Sequence, residues 1–117
     1  GDDVGKGNAN CAGCSSQWGY KQHTAPIGSF KANSFGIHDM HGNVWEWVQD
    51  CYVDNYKDAP ADGSARDQKN CKRRVVRGGS YLIGPGAMRA AYNYDFRPSS
   101  LNGDGGFRVA RDISKTP

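Results

Sequence analysis

Gly42-Asn43-Val44-Trp45-Glu46-Trp47-Val48 specifies a short strand entered from a tight turn. Its large side chains alternate, so an extended backbone puts Trp45 and Trp47 on one face and Val44, Glu46 and Val48 on the other. Gly42 and Asn43 ahead of it tolerate the backbone conformations of a tight turn. Two later stretches have the same character, glycines beside aromatic and charged anchors: Arg77-Gly78-Gly79-Ser80-Tyr81 and Gly106-Phe107-Arg108-Val109-Ala110-Arg111. All three describe short strands entered or left by glycine turns.

Outward from these stretches, Arg74 to Ser80 reads as a strand running into a turn, and Phe107 to Ala110 as a final strand. Residues 24–30 alternate through Thr24, Ala25, Ile27 and Phe30, and Met88 to Tyr92 is a further extended candidate. Residues 1–23 are rich in glycine and asparagine, and residues 52–72 in Asp, Asn, Lys, Pro and Gly, so both read as irregular loop. No repeat and no long amphipathic helix is visible. The fold class expected is α+β, loop-rich, with short antiparallel strands, in a single domain over residues 1–117.

Of the 117 residues 37% are hydrophobic and 16 are glycine, while three Trp, six Tyr and four Phe carry much of the burial. No apolar run approaches membrane-spanning length, and the N-terminus lacks a charged-then-apolar leader. The net charge of +3 concentrates in Lys69-Asn70-Cys71-Lys72-Arg73-Arg74 and Arg77. Without interleaved aromatics or a recognisable module, that run reads as a solvated loop and not as a nucleic-acid surface. Four cysteines in a small, loop-rich chain favour disulfides and an exported or cell-surface location. Cys51 with Cys71 is the preferred pair, clamping the polar loop between them. Cys11-Ala12-Gly13-Cys14 stays open between a local disulfide, a redox pair and half a zinc site.

The three stretches, with Thr24-Ala25-Pro26-Ile27-Gly28-Ser29-Phe30 and Phe35-Gly36-Ile37-His38-Asp39-Met40 leading in, closely resemble the formylglycine-generating (sulfatase-modifying factor) family. The resemblance runs from about Gly1 to Arg111. It implies a C-type-lectin-like fold in which loops carry the function. Members usually have an additional N-terminal half, so this chain reads as the C-terminal part of such a domain, completed by an N-terminal half or a partner chain.

Family enzymes oxidise a substrate cysteine with copper held by two cysteines after the Gly-Gly-Ser turn. Here the matching positions are Ile83 and Met88, and no cysteine follows Cys71. No copper and no oxidase activity are therefore expected, because isoleucine cannot ligate and a lone methionine is usually core filler. His38 and His41 with Asp39 are a poor metal triad, since neighbours on an extended chain point apart. Gly5-Lys6-Gly7 is too short for a phosphate loop. The resemblance does imply one structural calcium, held by Asp39, the carbonyls of Gly42 and Val44, and Glu46, an oxygen set that suits a hard cation. The family's other calcium would use Asn10, the Cys11 carbonyl and ligands near 19–21, where the acidic position is Gly19.

Between Arg77-Gly78-Gly79-Ser80 and Gly106-Phe107-Arg108, residues 82–87 and 93–105 hold nineteen positions without Lys, Glu, Gln, Trp or Met. The residues present are all reachable from an asparagine codon randomised at its two adenines. This resembles the variable region of diversity-generating retroelement proteins, several of which display a randomised C-terminal surface on this fold. The expected function is therefore non-catalytic binding of a protein or surface ligand through Leu82, Ile83, Asn93, Tyr94, Asp95, Phe96, Arg97, Leu101, Asn102 and Asp104, with exposed aromatics supplying contact area. The alternative is an enzyme of protein or cofactor maturation whose metal ligands lie outside this chain.

Overall fold

The computed structural model describes residues 3–20, 23–53 and 59–113. Four strands form one sheet: β1 (Trp45–Cys51), β2 (Arg74–Arg77), β3 (Tyr94–Phe96) and β4 (Gly105–Gly106), in the spatial order β3-β2-β1-β4. β2 lies antiparallel to both β1 and β3, whereas β4 runs parallel to β1. The sheet is therefore mixed. Parallel pairing requires a crossover, and the chain makes it between β3 and β4, on opposite sheet edges.

The tryptophan strand behaves as its alternation predicts. Trp45, 2% exposed, stacks on Tyr92 and Tyr94 with ring centroids 6.2 and 5.5 Å apart. Trp47 meets the edge of Phe96 at 5.5 Å. Trp47, Val76 and Tyr94 are register partners across three strands, so one apolar row crosses the sheet. Trp45, Val76, Ala87 and Phe96 make its buried centre. A second cluster gathers Ala9, Cys11, Cys14 and Met88.

The turns ahead of β1 and after β2 lock together. Gly42 donates its N–H to Gly78 O at 2.7 Å, and Asn43 donates to Asn10 O at 2.8 Å. Gly42 has φ +77°, and a Cβ there would overlap the Asn10 carbonyl oxygen. Only glycine allows that approach. The buried Asn43 side chain accepts from Ala25 N and Asn10 Nδ2 and donates to Ala25 O. It thereby joins three loops that have no ladder of their own.

Three expected strands take other forms. Residues 24–30 form a turn, closed by Ser29 N to Pro26 O; Pro26 has no donor to give a sheet. Met88 ends a 3-10 helix, Pro85–Met88, and Tyr92 N then closes a turn on Arg89 O. Pro85 presets that helix start. The strand expected at Phe107–Ala110 is replaced by the two-residue β4 just before it. Beyond Gly106 the Arg108 side chain holds the segment, and the described residues offer it no partner strand. Within the loop expected at residues 1–23, α1 (Gln17–Tyr20) forms under the Ser16 hydroxyl, which accepts from Trp18 N and Gly19 N.

Cys51 and Cys71 are bonded, as are Cys11 and Cys14, which settles the open reading of the second pair as a local disulfide. The loop between Cys51 and Cys71 is tied further by Asp67, which accepts from Gln49 Nε2 at 2.9 Å and Arg74 Nη1 at 2.8 Å. Residues 54–58 of that loop lie outside the described set.

Candidate functional site

β3 and the crossover after it carry most of the expected binding residues, and they divide by burial. Leu101 is fully exposed, Tyr94 is 47% exposed, and Leu82, Ile83, Arg97 and Asn102 also face outward. Phe96 is buried at 9%, a correction to its expected exposure. The reason is its place opposite Arg74 in the sheet, with its ring against Trp47 and Tyr94. Asn93 is half-buried. Asp95 is also half-buried and pairs with Arg73 at 3.0 Å, the guanidinium of which also lies 5.3 Å from the centre of the Tyr52 ring. Asp104 accepts from Ser80 Oγ at 2.8 Å, and its carbonyl accepts from Trp45 N. Phe96, Asp95 and Asp104 thus fasten the crossover to the sheet, while the residues between them project from it.

Trp47, Phe96, Ser100, Leu101, Asn102, Gly103 and Gly105 line an open pocket of about 370 Å³. Its floor is aromatic and its wall is the crossover. Alternation puts Trp47 on the same face as the buried Trp45, and only packing shows that it is half-buried and lines this pocket. Ile83 and Leu82 stand apart from this pocket. Ile83 O instead accepts from Ala12 N, linking the Gly-Gly-Ser turn to the first disulfide loop.

The positions matching the family's copper cysteines differ in setting. Met88 is 1% exposed, packed with Ala9, Cys11 and Cys14, and Ile83 is part-exposed. Each of the two central histidines uses Nδ1 on a backbone carbonyl, His38 on Phe30 O at 2.8 Å and His41 on Met88 O at 2.7 Å. Among the described residues no group of three His, Cys, Asp or Glu side chains converges as a metal site.

Asp39, Gly42, Val44 and Glu46 do line one pocket, of about 210 Å³, together with Arg108. Asp39 Oδ2 accepts from Gly28 N at 2.8 Å. Both Glu46 oxygens accept from Arg108, from Nε at 2.7 Å and from Nη2. Arg108 also donates to the carbonyls of His38 and Asp39. The hydrogen bond to Glu46 pushes the Arg108 pKa above its ordinary value. A carboxylate offers about four lone-pair sites, so Glu46 can serve Arg108 and still face a cation. Asp39 brings a second carboxylate to the same pocket, and carboxylate oxygens are the donors a hard cation such as calcium takes. The family's other calcium position is different. Asn10 Oδ1 accepts from Ser16 Oγ at 2.6 Å, and a Cβ on Gly19 would lie 2.5 Å from Cys11 O. The carboxylate has no room there.

Comparison with known proteins places this geometry. Residues 1–113 match the model of the sulfatase-modifying factor enzyme 1-like domain. The chain is 34% identical over 96 residues to the formylglycine-generating enzyme of Streptomyces coelicolor, covering 80% of this chain and 31% of that one. It is 30% identical over 115 residues to the serine/threonine-protein kinase pkn1 of Chlamydia caviae, covering 97% of this chain and 17% of that protein. Among solved structures, PvdO from Pseudomonas aeruginosa superposes with a TM-score of 0.77 at 40% identity, over 86% of this chain and 37% of that chain. Treponema denticola variable protein 1 superposes with a TM-score of 0.68 at 25% identity, over 86% and 34%. The chain therefore spans about a third or less of the length of these relatives.

Proposed function

This chain belongs to the sulfatase-modifying factor enzyme 1-like family, and from that premise we propose that it is a non-catalytic ligand-binding domain acting through its C-terminal crossover. The observation that carries the reading is the aromatic-floored pocket of Trp47 and Phe96 under the exposed loop 97–103. Rigid rings on the sheet supply contact area, and Tyr94, Leu101 and Asn102 supply a changeable rim. A variable protein among the solved relatives supports the diversified version of this reading. The replacement of the two copper-ligating cysteines by Ile83 and Met88 supports the non-catalytic part. The ligand belongs to the protein or cell-surface class, and the two disulfides suit an oxidising, exported location.

Calcium at Asp39, Gly42, Val44 and Glu46 belongs to the same reading, as a structural ion fixing the turn before β1. Its check is thermal: added calcium raises the melting temperature, and Glu46→Ala abolishes the rise. No response in the unsubstituted protein removes the ion from the proposal.

The genomic neighbourhood tests the diversified version directly. A reverse transcriptase gene beside an adenine-rich near-copy of the coding sequence for 82–105 is the expected finding; its absence refutes diversification. Formylglycine-generating enzymes among the relatives favour a second reading, an enzyme with metal ligands outside this chain. Copper-dependent oxygen consumption with a cysteine peptide, measured on the whole encoded protein, would establish that reading and overturn ours.

A further inference from the structure

A cavity of about 550 Å³ opens between the loop at residues 3–8 and the 3-10 helix Pro85–Met88. It shares no lining residue with the crossover pocket. The loop on one side is fastened locally. Gly5 N donates to Asp3 Oδ1 at 2.9 Å, Asn8 Nδ2 to Val4 O at 2.8 Å, and Gly7 N to Cys14 O at 2.9 Å. On the other side His41 Nδ1 lies 2.7 Å from Met88 O, and Arg89 Nε donates to Gly86 O at 3.2 Å. Val4, Pro85 and the buried Met88 give the space an apolar lining. Its volume falls in the range of sites that hold small organic ligands.

The polar groups decide which ligand. Asp3 and Arg89 bring opposite charges to the one cavity, yet among the described residues neither forms an ion pair. Asp3 keeps its second carboxylate oxygen, and Arg89 its two terminal nitrogens, without a hydrogen-bond partner among those residues. His41 adds an acceptor. A carbonyl only accepts, so Nδ1 facing Met88 O carries the hydrogen, and Nε2 of the neutral ring keeps its lone pair. Two acceptors and one guanidinium beside an apolar lining complement a molecule carrying an ammonium, a carboxylate and hydrocarbon between them.

We propose that this cavity binds a short zwitterionic peptide, the size of an apolar dipeptide. The ammonium goes to Asp3 and His41 Nε2, and the carboxylate goes to the Arg89 fork, which suits its planar geometry. The side chains lie on Val4, Pro85 and Met88. A single amino acid would leave much of the volume empty. This site is independent of the crossover reading, and either can fail without the other.

Isothermal titration calorimetry on the whole encoded protein, with the dipeptide Leu-Leu as probe, tests it. Leu-Leu binds saturably, and the same dipeptide capped by acetyl and amide groups binds at least about tenfold more weakly, since hydrogen bonds to charged groups are the stronger ones. Asp3→Asn and Arg89→Gln each weaken Leu-Leu by a similar factor, whereas Leu101→Ala in the crossover leaves its affinity unchanged. Asp3 and Arg89 are both exposed, so their substitution leaves the core intact. No saturable binding of Leu-Leu overturns the proposal. Equal affinity for the capped form, or unchanged affinity in either charge variant, overturns it as well.

Discussion

Gly42 is the residue at which the fold is most sensitive to a single methyl group. Its positive φ and the Asn10 carbonyl against it act together, so Gly42→Ala adds a conformational cost of about 1–2 kcal/mol and a backbone overlap. Urea unfolding should show a loss of at least about 2 kcal/mol. Gly28 has a similar φ of +79° but open space around it, and Gly28→Ala should cost only the conformational part. Equal losses at the two sites would contradict the close approach. Asn43 is the complementary case, a buried amide whose oxygen and nitrogen are both bonded. Asn43→Leu leaves the Ala25 and Asn10 groups without partners, a loss of about 1–3 kcal/mol by the same measurement. The glycine was legible in the sequence as a turn, but the three-loop role of Asn43 was not. A side chain's partners eighteen or more residues away leave no periodic trace.

At the level of elements, the strap between Cys51 and Cys71 is held by a covalent bond and by Asp67. Gln49 and Arg74 lower the Asp67 pKa below 3.8 through their hydrogen bonds. A group depressed in the folded state adds stability above its unfolded value and loses it as pH falls through the folded value. The exchange protection of residues 64–68 should therefore fall below about pH 3.8, and Asp67→Asn should remove this pH dependence. Opening the disulfide, as Cys51→Ala/Cys71→Ala, should cost about 3 kcal/mol in unfolding free energy. β1 and β2 were legible because each carries apolar residues that a neighbouring strand then buries. Phe107 and Val109 give the same alternating signal, yet no strand forms there. Alternation records which side chains favour burial, and it carries no information about what supplies the cover. The extended stretch expected at 88–92 failed for a different reason: the 3-10 helix that Pro85 starts runs through Met88, and Tyr92 N then closes a turn on Arg89 O.

Across the whole molecule, the ladder and the binding rim are separable. Substituting Leu101 or Asn102 should change unfolding free energy by less than about 0.5 kcal/mol, as surface positions do. Phe96→Ala should cost about 3–5 kcal/mol, because its ring joins the central cluster. A loss at Leu101 comparable to that at Phe96 would mean the crossover is part of the core. The loop-rich, short-stranded class and the Cys51–Cys71 bond were legible from residue patterns, and the C-type-lectin-like scaffold from the family resemblance its motifs carry. The division of residues 93–105 into fasteners and rim was not, since Phe96 and Tyr94 look alike until a sheet distinguishes their surroundings. One consequence lies in the length of that crossover. The Phe96 ring comes within 3.2 Å of where a Cβ on Gly105 would sit, so the ring reaches from β3 to the far end of the crossover. Eight residues, 97–104, join β3 to β4. Residues 97–103 among them are exposed. Doubling a flexible loop adds only about 0.6 kcal/mol of closure entropy, so insertions as well as substitutions can enlarge its repertoire without disturbing the strands at either end.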